Sequence, residues 1–118
     1  MDKRLVILGG GESGVGAALL AKKEGYNILL MDEGSLKDGY RKELQQAGID
    51  FIENRIEEEK LLSADEVVKS PGIPEKNEWV KKLRKKNIPI YLITAIVGLA
   101  SQGFNDATLK HHLNEVMD

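Results

Sequence analysis

Leu5-Val6-Ile7-Leu8-Gly9-Gly10-Gly11-Glu12-Ser13-Gly14, followed by an apolar-periodic run from Val15 to Lys23, is the stretch that decides the fold. Four consecutive apolar residues read as a strand buried on both faces. They run directly into Gly-x-Gly-x-x-Gly, and the last glycine opens a helix. A strand, a glycine turn and a helix in that order leave backbone N–H groups bare at the positive end of the helix dipole, where a phosphate can sit. Gly9 is assigned to the tight turn, Gly11 to close approach of a phosphate, and Gly14 to close packing of the helix on the sheet. Ser13 can cap the helix or donate to a phosphate oxygen. Glu12 places a carboxylate beside that phosphate, so its side chain must turn away or pair with a cation, leaving its N–H for the ligand.

Outward from this stretch, strands and helices alternate. The helix of Ser13 to Glu24 ends at Gly25. Asn27 to Met31 is a second buried strand ending at Asp32-Glu33. Gly34-Ser35 is a turn, with Ser35 or Asp38 available to cap a helix from about Gly39 to Ala47, closed by Gly48. Ile49 to Ile52, Glu66 to Lys69 and Ile90 to Thr94 read as strands three, four and five. Glu57 to Leu62 reads as a short acidic helix. Asn77 to Lys86 reads as a basic amphipathic helix with Trp79, Val80 and Leu83 facing inward. Ser70-Pro71-Gly72-Ile73-Pro74 must be a loop, because two prolines cannot sit in a helix or a central strand.

This alternation predicts an α/β fold: a Rossmann-like, doubly wound, five-stranded parallel sheet in the order 3-2-1-4-5. Its switch point lies between strands one and four. Three loops should meet there: Gly9 to Gly14, Asp32 to Ser35, and Ser70 to Pro74. Asp32, 18 positions beyond Gly14, is placed to accept from ribose hydroxyls and to disfavour a 2′-phosphate. Glu33 can accept from a base N–H, and Gly34 offers only backbone. Ser70 is held extended by Pro71, and Gly72 permits close approach of a ligand. Residues 1–94 form the nucleotide-binding domain, and residues 95–118 a C-terminal extension with a helix from Asp106 to Met117.

Composition narrows the function. The chain has 118 residues, a formal charge of -2 and no cysteine, so disulfides, thiolate metal sites and cysteine nucleophiles are excluded. The slight acidity argues against a nucleic-acid partner. The N-terminus is no secretory signal, and the longest apolar stretch, Ile88 to Ala100, is broken by Pro89, Thr94 and Gly98, so a cytoplasmic location and no membrane partner are expected. His111 and His112 are adjacent and do not make an i, i+4 metal pair. The lysines and arginine from Lys81 to Lys86 read as a solvated face. These residues alone leave two other readings open: an NAD(H)-binding regulatory module, or a domain that only self-associates.

Four stretches carry a resemblance. Gly9-Gly10-Gly11-Glu12-Ser13-Gly14, Asp32, Ala64-Asp65-Glu66-Val67-Val68-Lys69-Ser70-Pro71-Gly72-Ile73, and Lys86-Asn87-Ile88-Pro89-Ile90 resemble the N-terminal domain of the Mur ligases over about residues 3 to 93. The stretch from Ala64 to Ile73 is far more specific than the glycine run. The resemblance implies a domain that holds the UDP end of UDP-N-acetylmuramoyl-L-alanine, or a related UDP-sugar, in peptidoglycan synthesis. It implies that Gly11, Glu12 and Ser13 contact the diphosphate mainly through backbone, that Asp32, Glu33 and Gly34 lie beside uridine, and that Ser70, Pro71 and Gly72 wall the site. It implies no cofactor in this domain; ATP and magnesium belong to a central domain opened by a P-loop. No Gly-x-x-x-x-Gly-Lys-Ser/Thr occurs in these residues, and the stretch from about Thr94 does not resemble the family. The chain by itself is therefore expected to be inactive as a ligase.

Overall fold

A computed structural model of the chain describes residues 3–93. Nine elements alternate without exception: β1 (Arg4–Leu8), α1 (Glu12–Lys23), β2 (Asn27–Met31), α2 (Asp38–Gln46), β3 (Asp50–Ile52), α3 (Glu58–Leu62), β4 (Glu66–Lys69), α4 (Glu78–Lys85) and β5 (Ile90–Leu92). The sheet order is β3-β2-β1-β4-β5, and every pairing is parallel. The expected topology and switch point are both present.

The sheet separates two apolar layers, because successive residues of a strand point to opposite faces. Leu5 and Ile7 of β1 pack with Val15, Ala18 and Leu44 of α1 and α2. Val6 and Leu8 pack on the other face with Leu61, Val80 and Leu83 of α3 and α4. Leu5, Val6, Ile7 and Leu8 of β1 are all buried, and burying each such side chain contributes about 1.5–3 kcal/mol. Gly25 (φ +92°) and Gly48 (φ +71°) end α1 and α2 in the left-handed region, as expected. Asn87 does the same after α4 with φ 59°.

Helix starts depart from expectation. The N-cap of α1 is Gly11, and no side chain caps it, so Ser13 lies inside the first turn and caps nothing. The N-cap of α2 is Lys37, again without a side-chain cap. Ser35 instead donates its hydroxyl to Asn54 Oδ1 at 2.7 Å, and Asp38 pairs with Arg41. Both residues have nearer partners than the helix amides, which is why the capping expectation fails. Arg41 also bonds Glu53, and that hydrogen bond, with a second from the Leu36 N–H, holds the Glu53 carboxyl below its ordinary range. Asn77 caps α4 as an N-cap should, accepting from Trp79 N at 2.8 Å and Val80 N at 3.4 Å. Strand β5 ends at Leu92. The expected residue Thr94, the tail helix from Asp106 to Met117 and the histidine pair lie outside the described residues.

Candidate functional site

Three loops leave the carboxyl ends of the central strands from locked positions. Gly9 N donates to Met31 O at 2.9 Å, Ser70 N to Leu8 O at 3.2 Å, and Asp32 N to Ile52 O at 3.0 Å. Each bond continues the ladder one residue past a strand end, so the loops begin in register with one another. They enclose a cavity of about 490 Å³, within the range that holds a small-molecule ligand.

The glycine loop forms its floor, from Gly9 to Gly14. Gly9, assigned to the tight turn out of β1, makes it with a positive φ of +111°. A Cβ on Gly14 would lie 1.8 Å from the Gly9 carbonyl oxygen, so the close packing it permits is against the end of β1. A Cβ on Gly11 would meet nothing within 4 Å. Gly10, to which sequence reasoning gave no role, is the crowded one: a Cβ there would lie 2.0 Å from Leu36.

Donors at this loop divide into used and unused. The amides of Gly9 and Gly10 are taken by Met31 O and Asp32 Oδ2. Val15 N already bonds back to Gly11 O at 3.0 Å. Between them, the amides of Gly11, Glu12, Ser13 and Gly14 make no hydrogen bond to the protein among the described residues. These are the orphan donors every helix N-terminus presents, here left without a side-chain cap and facing a cavity. The exposed Glu12 side chain makes no ion pair among the described residues and sits where the helix dipole favours a carboxylate.

Asp32 ties the first two loops together. Its Oδ2 accepts from Gly10 N at 2.6 Å and its Oδ1 from Gly34 N at 2.8 Å. It lines the cavity, and it also fixes the shape of the loop opposite. Glu33 lines the cavity too, and its Oε1 accepts from the Trp79 indole N–H at 3.1 Å. Gly34 and Pro71 flank the cavity without lining it.

The third loop is built on hydrogen bonds of its own. Ser70 Oγ accepts from Gly72 N at 3.3 Å, and Ile73 N donates to Ser70 O at 3.0 Å. Beneath it lies Lys69, the one buried charged residue among those described, at 6% exposure. Its Nζ donates to Ile73 O at 2.7 Å, clipping the loop from below. A lysine at a strand end gave no sequence signal for this, because its partner is a carbonyl that only the loop's fold brings near.

The far wall was also missed in part. Ile56, Pro74, Asn77 and Trp79 line the cavity beside Ile73. Trp79 packs against the core layer of Val80 and Leu83 as expected, but it is only half-buried there and also lines the cavity, while Val80 and Leu83 are fully buried. One signal was available: Trp79 falls in the first turn of a helix that starts just after the proline loop. No group of three or more His, Cys, Asp or Glu side chains among the described residues could hold a metal. No helix there is long and apolar enough to cross a membrane.

Comparison with known proteins supports the fold and the family. The solved murein peptide ligase from Psychrobacter arcticus superposes with a TM-score of 0.71 at 21% identity, over 80% of this chain and 20% of that one. UDP-N-acetylmuramate-alanine ligase from Thermotoga maritima superposes with a TM-score of 0.63 at 20% identity, over 78% of this chain and 21% of that one. Among curated proteins, UDP-N-acetylmuramoylalanine--D-glutamate ligase of Christiangramia forsetii is 48% identical over 90 residues, 76% of this chain. Its counterpart in Cytophaga hutchinsonii is 51% identical over 90 residues, again 76% of this chain. The chain spans 20% of the length of each of these two relatives. The family defined as Mur ligase MurD-like, N-terminal domain, matches residues 3–92. With that match covering the whole of the described sheet, the chain belongs to the MurD-like Mur ligases, of which it carries the N-terminal domain.

Proposed function

We propose that this domain binds the UDP end of UDP-N-acetylmuramoyl-L-alanine and takes no chemical step itself. The observation that carries this reading is the row of four unused amides at Gly11 to Gly14, opening into a cavity between the three loops. Such a row suits a diphosphate, whose oxygens accept several N–H bonds at once and whose charge is favoured at a helix start. Gly11 lets the diphosphate reach the main chain, and the Ser13 hydroxyl adds a donor. Uridine extends toward Asp32, Glu33 and Gly34. Asp32 has spent two of its roughly four lone-pair directions on backbone amides, and the remainder accept from ribose hydroxyls. Ser70, Pro71 and Gly72 form the opposite rim. The domain itself needs no cofactor on this reading; ATP and magnesium would serve a separate domain of the ligase, in the cytoplasm, where the substrate's carboxylate is activated.

The test is a titration of the chain with UDP-N-acetylmuramoyl-L-alanine and, separately, with NADH, followed by backbone amide shifts. Saturable shifts at Gly11 to Gly14 with the UDP compound are expected. Shifts there with NADH alone would overturn the reading. Gly11→Val is the companion variant. Its N-cap backbone (φ -80°, ψ -169°) is open to any residue and its Cβ direction is empty, so the fold survives while the isopropyl group blocks the diphosphate. Undiminished affinity in Gly11→Val would remove the phosphate-loop assignment.

A further inference from the structure

Trp79 is the chain's single tryptophan; part of it packs against the apolar layer under α3 and α4, and it also lines the cavity. It is half-buried where its neighbours Val80 and Leu83 are fully buried, and it lines the cavity from α4. Two contacts from different elements immobilise it. Its Nε1 donates to Glu33 Oε1, across the cavity mouth from the loop after β2, at 3.1 Å. The Lys82 ammonium lies 4.8 Å from the ring centroid, and Glu58 of α3 holds that ammonium at 2.6 Å. Trp79 lines the cavity and Lys82 does not.

We propose that the indole of Trp79 is the platform on which the ligand's nucleobase stacks, with Glu33 and Lys82 as the groups that hold the ring in place. This rests on the nucleotide-binding reading above and adds to it a residue for the base. A flat aromatic ring, fixed at its edge and held by a cation, offers a base what a mobile aliphatic wall does not: a preformed π surface whose ordering cost is already met. Glu33 Oε2 has no hydrogen-bond partner among the described residues, and it is positioned beside the ring to accept an N–H from the base edge.

The test uses the 118-residue chain, UDP as probe, and two readouts: calorimetric affinity and the fluorescence of the single tryptophan. Saturable quenching by UDP is expected in the unaltered chain. Trp79→Ala should lower UDP affinity by about 5- to 150-fold, the range that loss of one base–aromatic stack produces. Trp79→Phe, which keeps a π face, should stay within about 3-fold of the unaltered chain. Trp79→Leu, which fills space without one, should behave like Trp79→Ala. Rescue by Leu equal to rescue by Phe would show a filler and overturn the platform, as would UDP binding that leaves the fluorescence unchanged. The fluorescence readout needs no variant, so it decides the matter even where Trp79→Ala does not fold. Equal UDP affinity in the unaltered chain and Trp79→Ala would sink the platform while leaving the UDP site intact. No UDP binding at all would sink both.

Discussion

Replacing Asp32 separates its structural role from its ligand role. Both carboxylate oxygens accept backbone N–H bonds, at 2.6 Å from Gly10 and 2.8 Å from Gly34. A hydrogen bond to a charged group contributes about 1.5–3 kcal/mol. The Gly10 bond is part-buried and warrants the low end of that range; the Gly34 bond is exposed and warrants less. Asp32→Ala should therefore cost about 2–3 kcal/mol. Asp32→Asn is the sharper variant. An amide has one acceptor oxygen, so when it serves Gly10 its NH2 must confront the Gly34 N–H, donor against donor. About 1 kcal/mol should go with that one bond. For a domain of this size, each kcal/mol moves Tm by about 4–8 °C, so thermal melts should fall by about 10–20 °C for Ala and less than half as much for Asn. An Asp32→Ala melt within about 2 °C of the unaltered chain would refute the dual-acceptor account. A ligand role is then read separately. If the remaining lone pairs accept from ribose, UDP should bind more tightly than its 2′-deoxy form, and equal affinities would argue against it.

Further expected outcomes come from other parts of the same cradle. Gly14→Ala should cost about 1–3 kcal/mol or more, because its Cβ would collide with the Gly9 carbonyl, whereas Gly16→Ala on the open side of α1 should stabilise by about 0.8–1.0 kcal/mol; urea midpoints that do not diverge would contradict the packing described. Lys69→Met removes a buried charge, so stability should change by less than about 1.5 kcal/mol. The Ser70–Ile73 loop would nonetheless lose its clip and UDP affinity should drop; an unchanged affinity measured by calorimetry would deny Lys69 that role. The Glu53 carboxyl is held below its ordinary value of 4.5 chiefly by the Arg41 hydrogen bond, so its stabilising effect is present above that pH and is lost as pH falls through the lower folded value. Glu53→Gln should flatten the acid limb of a stability profile below about pH 4.5, and an unaltered limb would show the pair to be ineffective. Burial, then the charge and hydrogen bond of Glu66, raise the Tyr91 phenol above its ordinary 10.0. Unfolding should thus become easier above about pH 10, and Tyr91→Phe should remove that alkaline slope.

The sequence alone determined the order of elements, the parallel sheet and the convergence of three loops. It could do so because those features rest on local periodicity and on residues with special backbone needs. Leu5 to Leu8 must be buried on both faces, Gly9 must make a tight turn, and Pro71 and Pro74 must interrupt any ladder. The family was legible for the same reason: the Ala64 to Ile73 stretch is contiguous, and contiguity survives without a structure. What the tertiary structure decided lies between residues distant in the chain. Asp32 was assigned to ribose, and only folding showed its oxygens spent on Gly10 and Gly34. Ser13, Ser35 and Asp38 had the right chemistry for capping, but capping is settled by competition among all nearby partners, and Asn54 and Arg41 outbid the helix amides for Ser35 and Asp38. Helical spacing placed Trp79 against the core, where it does pack in part, but not at the cavity, which it also lines. Its 46-residue separation from Glu33 hid the hydrogen bond that turns it toward the cavity. Periodicity says which side of a helix is apolar, and only the packed neighbours say whether that side meets the core or a ligand.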